Sequence, residues 1–320
     1  DYFNSQGSYD PQYSLLPAIK KAVAGESSAP TWLNAAPEAS YNLSGNTLVV
    51  SGGSVTFTED ASSTLPNLTV SVATGASLLL SASQDIASLI VSGGVVIFAG
   101  GGNSSNISAS ALPLATPDAS STSDVLLLNS LTTTNGGQLD LGDGELDIEY
   151  GGNPTPADAI ASQIASGYAN GQWDGNGIIS STAASDLTHA TGIGYFDDGT
   201  EVKIARTWYG DANLDGQINA DDISLMMFGQ AMHSGSWQEG NFNYDSQVNA
   251  DDWMKMFYGI AVSSGQKLAT FAADVANDSS ATEGFVVARP ANVVAPAFAQ
   301  VPIGADQEIN NLLDPPQPLI

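Results

Sequence analysis

The sequence contains no cysteine and very little positive charge. The absence of cysteine excludes disulfide bonds, thiolate metal sites and cysteine nucleophiles together. Only 7 of the 320 residues are lysine or arginine, against 34 acids, and the formal net charge is −27. Nucleic acids and anionic membrane surfaces require clustered positive charge, so we expect neither as a partner. A field this negative favours divalent cations, or simply keeps the protein soluble.

Long apolar runs and histidines are also scarce. No apolar run reaches the length needed to cross a bilayer. The two histidines, His189 and His233, are isolated and belong to no metal or nucleophile motif. A Gly-x-Ser-x-Gly elbow and a phosphate-binding glycine loop are both missing. Since the chain also begins at Asp1 without a methionine or a signal peptide, we expect a processed mature form, extracellular or on the cell surface.

Short β-rich runs recur in residues 41–150, separated by Gly, Ser and Asn turns. Their spacing of roughly 8–12 residues is typical of a sandwich, a barrel or a solenoid. Gly-Gly or Gly-Ala-Ser turns precede several runs, which favours a parallel β-solenoid that reuses one corner in each coil. A β-sandwich is the alternative, because the period is irregular. The runs begin at Thr47, Ser54, Leu68, Ser77, Ser88, Val95, Val125, Gln138 and Glu145.

Two segments of this β-rich region have another character. Residues 103–124 show no periodicity and are interpreted as an inserted loop. Further on, Ile160 and Ile164 are four residues apart and Gly167 follows them. This spacing predicts a short helix, with the glycine as its stop.

Composition divides the chain into four parts. Residues 1–40 form an N-terminal segment with one predicted short helix. Residues 41–205 are expected to form the mainly β domain, and residues 206–264 a small helical domain that contains two acidic loops. Residues 265–320 are rich in Ala, Val and Pro, which predicts an extended C-terminal tail.

The first acidic loop runs from Asp211 to Asp222. A Ca²⁺ ion takes six to eight oxygen ligands, and a twelve-residue loop supplies them from positions 1, 3, 5, 7, 9 and 12. Gly216 stands at position 6, where the loop turns sharply, and Ile218 at position 8 is an apolar anchor. The predicted ligands are Asp211, Asn213, Asp215, the backbone carbonyl of Gln217, and Asp222.

A second loop of the same length starts 30 residues later, at Asn241, and ends at Asp252. It has Asn241 where aspartate is preferred and Ser246 where glycine is preferred, so we expect this second site to bind Ca²⁺ more weakly. The following helices align at the same offset, with Gly229 corresponding to Gly259, which indicates an internal duplication of loop plus helix. The predicted ligands are Asn241, Asn243, Asp245, the carbonyl of Gln247, and Asp252.

The segment from Gly210 to Asp222 and its degenerate copy resemble a type I dockerin, over about 55 residues. Upstream stretches such as Leu139-Asp-Leu and Thr207-Trp-Tyr-Gly-Asp resemble large secreted bacterial proteins that join β-helical repeats to one dockerin-like pair. The resemblance implies two bound Ca²⁺ ions and an extracellular or cell-surface location. Dockerins bind cohesin modules, but Ala220-Asp221 and Ala250-Asp251 replace the Ser/Thr-type recognition pair. That departure argues against cohesin while leaving calcium binding untouched.

The enzyme alternative is a β-helical polysaccharide lyase or glycosidase. Lyases of that architecture rely on Arg or Lys, and residues 22–202 contain neither. A glycosidase needs two carboxylates, but we interpret Asp140 and Asp147 as a solvated face beside inward-facing leucine and isoleucine residues. We therefore expect no enzymatic activity. The candidate acids are Asp140, Asp143, Glu145, Asp147 and Glu149.

These observations predict a secreted calcium-binding structural or adhesive protein. Its partners are expected to be copies of itself or another extracellular protein, in a filament or a surface layer. The alternative is a non-catalytic, dockerin-bearing accessory module of a secreted carbohydrate-degrading system.

Overall fold

A computed structural model describes residues 29–99 and 124–264 of the chain. Within these residues, thirteen strands form one large mixed sheet accompanied by few helices, so the protein is mainly β, as the sequence predicts. The predicted N-terminal helix, nearly all of the predicted loop 103–124 and the predicted C-terminal tail lie outside the described residues. The strands are β1 (Leu33–Ala35), β2 (Ser40–Ser44), β3 (Thr47–Phe57), β4 (Thr69–Ala73), β5 (Ala76–Leu80), β6 (Gln84–Ser92), β7 (Val95–Phe98), β8 (Val125–Thr134), β9 (Gln138–Asp140), β10 (Glu145–Glu149), β11 (Gly177–Ile179), β12 (Thr191–Asp197) and β13 (Glu201–Trp208).

The sheet consists of two parallel ladders that share the long strand β3. The first part of β3 starts a ladder that continues through β4, β6, β8 and β10. The second part starts a ladder through β5, β7, β9 and β11. Successive strands of the chain therefore alternate between the two ladders. Antiparallel partners complete the sheet: β1 and β2 pair with β3, and β13 joins β10 to the last strand, β12.

Both ladders bury one side of each strand in a common hydrophobic core. Leu48 and Val50 alternate with exposed Thr47 and Val49, as expected for strands with one face buried. Each of the nine β-rich runs falls in a strand. The largest fully buried side chains of the two ladders are Phe57, Phe98, Leu48, Leu68, Leu78, Leu80, Ile86, Leu89 and Leu126.

The described helices are α1 (Ala157–Tyr168), α2 (Ser181–Ser185), α3 (Ala220–Met232) and α4 (Ala250–Ser263). Helix α1 confirms the predicted helix, and Ile160 and Ile164 are buried. The prediction that Gly167 stops this helix is wrong. A Cβ at Gly167 would lie 1.9 Å from the carbonyl oxygen of Ile178, so this glycine allows close packing of α1 on β11. Among the described residues, no helix has the length and apolar character required to cross a membrane.

Candidate metal centre

Loop 1, residues 211–222, connects strand β13 to helix α3 and is tied together by its two terminal aspartates. The Asp211 carboxylate is buried and accepts hydrogen bonds from the Thr207 hydroxyl and from the Gly216 N–H, the latter at 3.0 Å. The Asp222 carboxylate is equally buried and accepts from the Ala212 N–H at 2.8 Å. Because Asp222 at the end of the loop bonds the backbone at its start, and Asp211 at the start bonds the backbone in its middle, the loop is closed on itself.

The middle of loop 1 brings side-chain oxygens together. The Asp215 N–H donates to Asp211 Oδ1 at 3.2 Å and to Asn213 Oδ1 at 3.0 Å, so the oxygens of positions 1 and 3 lie close to one another. The Gln217 N–H donates to Asp215 Oδ1 at 2.8 Å. Gly216 takes a φ of +81°, in the left-handed region that glycine enters without strain.

Loop 2, residues 241–252, repeats four of these contacts at the same positions. The Asp245 N–H donates to Asn241 Oδ1 at 3.2 Å and to Asn243 Oδ1 at 3.0 Å. The Phe242 N–H donates to Asp252 Oδ1 at 2.8 Å, and the Gln247 N–H donates to Asp245 Oδ1 at 2.9 Å. At position 6, however, Ser246 adopts a φ of +70°, a conformation that costs free energy for a residue with a Cβ.

The two helices that follow the loops pack reciprocally. A Cβ at Gly229 of α3 would lie 1.9 Å from the carbonyl oxygen of Glu239, just before loop 2. A Cβ at Gly259 of α4 would lie 1.9 Å from the carbonyl oxygen of Tyr209, just before loop 1. Each helix thus supports the start of the other loop, and the duplicated glycines have the same role.

Both helices also begin in the same way. Asn219 caps α3 and Asn249 caps α4, and each amide oxygen accepts a hydrogen bond from the helix N-terminus. Asp222 and Asp252 close the two capping boxes by accepting from the N–H of Asn219 and Asn249, at 2.8 and 3.0 Å. The last predicted ligand of each loop is therefore held in place by its own helix.

The electrostatics of the loops favour a cation. Residues 207–254 contain eight acids and no basic residue. Burial raises the pKa of Asp211 to about 6, an effect that the Thr207 hydrogen bond opposes and the Asp222 charge reinforces. Burial likewise raises the pKa of Asp222 and Asp252. These carboxylates are costly to ionise without a positive partner.

The nearest bases are engaged elsewhere. The Arg206 guanidinium bonds Asp143 at 2.6 Å. The Lys255 ammonium lies 3.7 Å from the centre of the Tyr209 ring and donates to the Tyr168 hydroxyl at 3.2 Å. Neither contact is to a loop carboxylate.

The donor set of both loops is made of oxygen alone, and such a set suits Ca²⁺ rather than a metal that prefers nitrogen or sulfur. Within residues 29–99 and 124–264, no three His, Asp or Glu side chains are gathered as a preformed metal cluster. A calcium shell also draws on asparagine amides and backbone carbonyls, and Asn213 and Asn243 lie at such positions. The residues of both loops fit the ion.

No protein-family model matches this chain, and neither does any curated protein or solved structure. The dockerin-like interpretation therefore depends on the residues and contacts of the two loops.

Sequence reasoning missed the residues at position 4 of each loop, Leu214 and Tyr244. Both have left-handed backbone, with φ of +58° and +61°, and both side chains pack against strand β12. A hydrophobic residue at position 4 in both loops is the only sequence signal, and it does not show what the side chain contacts. The sequence analysis also did not assign β12 or β13 as strands.

The acids considered for catalysis have other contacts. Asp140 accepts from the N–H groups of Gly142 and Ser181, both at 2.9 Å. The interpretation of Asp147 as part of a solvated face is wrong, because this residue is only 9% exposed. Burial, together with the nearby Glu145, raises the pKa of Asp147 to about 6, and Lys203 lies 3.7 Å away. Both histidines are exposed.

Proposed function

We propose that this protein is a secreted calcium-binding structural or adhesive protein, with one Ca²⁺ ion in each dockerin-like loop. The observation that carries the proposal is the repeated set of contacts in the two loops, each built around a buried terminal aspartate with oxygen donors at positions 1, 3 and 5. Loop 1 is the stronger site, because three of its predicted ligands are carboxylates, those of Asp211, Asp215 and Asp222. Only two predicted ligands of loop 2 are carboxylates, those of Asp245 and Asp252.

We further propose that the two alternating parallel ladders are a β-solenoid. The support is the chain path, which contributes one strand to each ladder per coil from β3 to β11. A solenoid has exposed strand edges at its ends, so self-association into a filament or surface layer is available to it. In this proposal the protein is extracellular, is not an enzyme, and has copies of itself or another extracellular protein as partners.

Calcium removal tests the metal assignment. Thermal unfolding is measured by calorimetry with excess Ca²⁺, with Mg²⁺ and with a chelator. Because an ion that binds only the folded state stabilises it by mass action, Ca²⁺ should raise the melting temperature, and limited proteolysis should cut near residues 207–264 only in the chelator. Identical transitions with Ca²⁺ and with chelator would refute the assignment.

Two ligand variants then rank the sites. Asp215→Ala should weaken Ca²⁺ binding more than Asn241→Ala, since it removes a charged ligand from the better loop. Isothermal titration with Ca²⁺ measures both. Size-exclusion chromatography and negative-stain images of the same preparations show whether Ca²⁺-loaded protein forms polymers, as the structural role requires.

The second candidate is the non-catalytic accessory module that docks onto another protein. The observation that favours it is an apolar helix surface: Met227, Phe228 and Met232 of α3 are 59%, 54% and 65% exposed, and Met254 of α4 is 64% exposed. Side chains of this kind are enriched in protein interfaces. Binding of a cohesin module by the monomeric protein, abolished by Phe228→Ser, would favour this candidate over self-assembly.

A further inference from the structure

The side chain of Tyr244 leaves loop 2 and ends on the sheet. Its hydroxyl accepts a hydrogen bond from the Ile193 N–H at 3.1 Å and donates to the Ile193 carbonyl at 2.9 Å. Ile193 lies in β12, the last strand of the hydrogen-bonded path. The backbone groups of an edge strand need partners other than a further strand. One tyrosine hydroxyl supplies both partners for Ile193.

The strand is shaped to receive this side chain. A Cβ at Gly192 would lie 2.9 Å from the Tyr244 hydroxyl oxygen and 2.7 Å from the Tyr209 ring. Any larger residue would therefore push the tyrosine away. The Tyr244 ring is held by further aromatic rings, with centroids 4.8 Å from Tyr168, 5.8 Å from Trp173 and 5.6 Å from Trp237.

Loop 1 has a weaker form of the same arrangement. Its position 4 is Leu214, which packs against Gly194 of the same strand, where a Cβ would lie 2.4 Å from Leu214 Cδ2. A leucine gives an apolar contact but no hydrogen bond. Loop 1, which has the better ligand set, is thus anchored to strand β12 by an apolar contact. Loop 2, which has Asn241 and Ser246, is anchored to it by hydrogen bonds, which are directional.

We infer that Tyr244 is a positioning residue, through which strand β12 holds loop 2 in its ligating conformation and raises the Ca²⁺ affinity of that loop. This inference rests on the proposed calcium function. Tyr244 stands between the predicted ligands Asn243 and Asp245, so fixing its side chain restricts the backbone of both. A loop that is already ordered before the ion arrives loses less conformational entropy on binding, and its affinity is higher.

The test uses the full chain with Asp215→Ala, which disables loop 1, so that a Ca²⁺ titration reports on loop 2 alone. Adding Tyr244→Phe keeps the ring and removes only the hydroxyl. We expect the Ca²⁺ affinity of loop 2 to fall roughly tenfold, the lower end of the effect of removing a group that orients metal ligands. An unchanged affinity overturns the inference and leaves the calcium function intact.

Tyr258→Phe is the matched control. The Tyr258 hydroxyl also bonds a backbone carbonyl outside the helical pair, that of Thr188, but from helix α4 rather than from the loop. It should leave the affinity of loop 2 unchanged. If both variants weaken Ca²⁺ binding equally, the loss comes from the general packing of helices α3 and α4 on the rest of the protein. Positioning of loop 2 by Tyr244 is then refuted.

One further variant keeps the inference testable if Tyr244→Phe folds poorly, and a second serves as a rescue where Tyr244→Phe folds. Gly192→Ala changes the strand and not the loop, and it should also lower the affinity of loop 2. Adding Ser246→Gly to Tyr244→Phe relaxes the left-handed backbone at position 6 and should restore part of the affinity. Failure of Gly192→Ala to weaken binding counts against the inference.

The Ca²⁺ titration of the unmodified protein distinguishes a failure of the proposed function from a failure of the inference. Unmodified protein that takes up no Ca²⁺ refutes both the function and the inference. Unmodified protein that binds one ion, with none bound after Asp215→Ala, leaves loop 1 as the calcium site and overturns the inference for loop 2.

Discussion

The two loops share four hydrogen bonds donated by backbone N–H groups at matching positions, but their proposed Ca²⁺ sites differ in ligands and in anchoring. Loop 1 has three carboxylates among its predicted ligands and a glycine at position 6, whereas loop 2 has two carboxylates among its predicted ligands and Ser246 at position 6. Loop 2 is joined to strand β12 by two hydrogen bonds of the Tyr244 hydroxyl, one accepted and one donated, whereas Leu214 of loop 1 makes an apolar contact. Two copies of one loop can therefore keep the same set of internal hydrogen bonds, while the Ca²⁺ site of one depends on its own ligands and the site of the other depends on contacts with strand β12.

The matching glycine contacts of helices α3 and α4 predict the largest effects on stability, and these effects should be equal. Gly229→Ala and Gly259→Ala each place a Cβ 1.9 Å from a backbone carbonyl oxygen that cannot move freely. We expect each to lower the free energy of unfolding by roughly 3 kcal/mol, the upper part of the range for overpacking. Urea denaturation in Ca²⁺ measures this.

Gly152→Ala is the control for these variants, since nothing lies within 4 Å of a Cβ at that position. If the free energies of unfolding lost in Gly229→Ala and Gly259→Ala differ by more than about 1 kcal/mol, the two loop-and-helix copies are not equivalent. Changes of that size exceed ordinary surface effects.

Asp211 gives loop 1 a pH dependence that Asn241 cannot give loop 2. The folded-state pKa of Asp211, about 6, lies above its ordinary value of 3.8. The folded protein therefore holds this proton more tightly, and without Ca²⁺ the contribution of Asp211 to stability is fully present below about pH 4 and is lost as pH rises through about 6. The contribution is at most roughly 3 kcal/mol.

The measurement is urea denaturation of calcium-free protein between about pH 4 and pH 7, for the unmodified chain and for Asp211→Asn. The raised pKa of Asp252 is present in both proteins and cancels in the comparison, and that of Asp222 cancels apart from its interaction with Asp211. The unmodified chain should lose stability relative to the variant as pH rises. Parallel curves would show that Asp211 titrates normally.

Exchanging the residues at position 1 of the two loops tests how far charge explains the difference between their Ca²⁺ affinities. Asp211→Asn should weaken loop 1 for Ca²⁺ by roughly tenfold or more, because carboxylate count tunes affinity in such loops. Asn241→Asp should strengthen loop 2 by less, since the Asn241 amide donates to the Gly235 carbonyl at 2.7 Å and an aspartate cannot. Isothermal titration resolves both changes, and equal and opposite shifts would contradict this asymmetry.

The smallest effect is expected at position 6. Ser246 has a φ of +70° and Gly216 a φ of +81°. Ser246→Gly relieves the strain and Gly216→Ser introduces it, so the free energy of unfolding should rise and fall respectively, each by about 0.5–1 kcal/mol. Thermal unfolding in Ca²⁺ gives the two shifts, and a loss of stability in Ser246→Gly would contradict the expected relief.

Local patterns predicted much of this structure. The β runs are visible because short stretches of β-branched and aliphatic residues, such as residues 47–50, stand between Gly, Ser and Asn turns. Helix α1 was predicted from the spacing of Ile160 and Ile164, and the loop frames from carboxylate and glycine spacing. Strand β13 was missed although Val202 and Ile204 alternate with Glu201 and Lys203.

Long-range relations were not predictable in the same way. Gly167 was interpreted as a helix stop because a glycine near a helix end commonly is one. Only the position of Ile178 in the folded chain shows that Gly167 lies in close contact with the Ile178 backbone. The hydroxyl of Tyr244 bonds a residue 51 positions earlier in the chain. No spacing rule connects the two, so the anchor of loop 2 depends on the fold that brings β12 beside it.

The location of Trp237 has an optical consequence. Its indole is fully buried, donates to the Asp211 carbonyl at 2.9 Å, and lies nearly parallel to the Tyr244 ring at an interplanar angle of 27°. It also meets Phe242 edge to face, with centroids 4.9 Å apart. One fluorophore therefore contacts the first residue of loop 1 and two residues of loop 2. The difference in emission between the natural chain and Trp237→Phe would report movements of either loop without any attached dye.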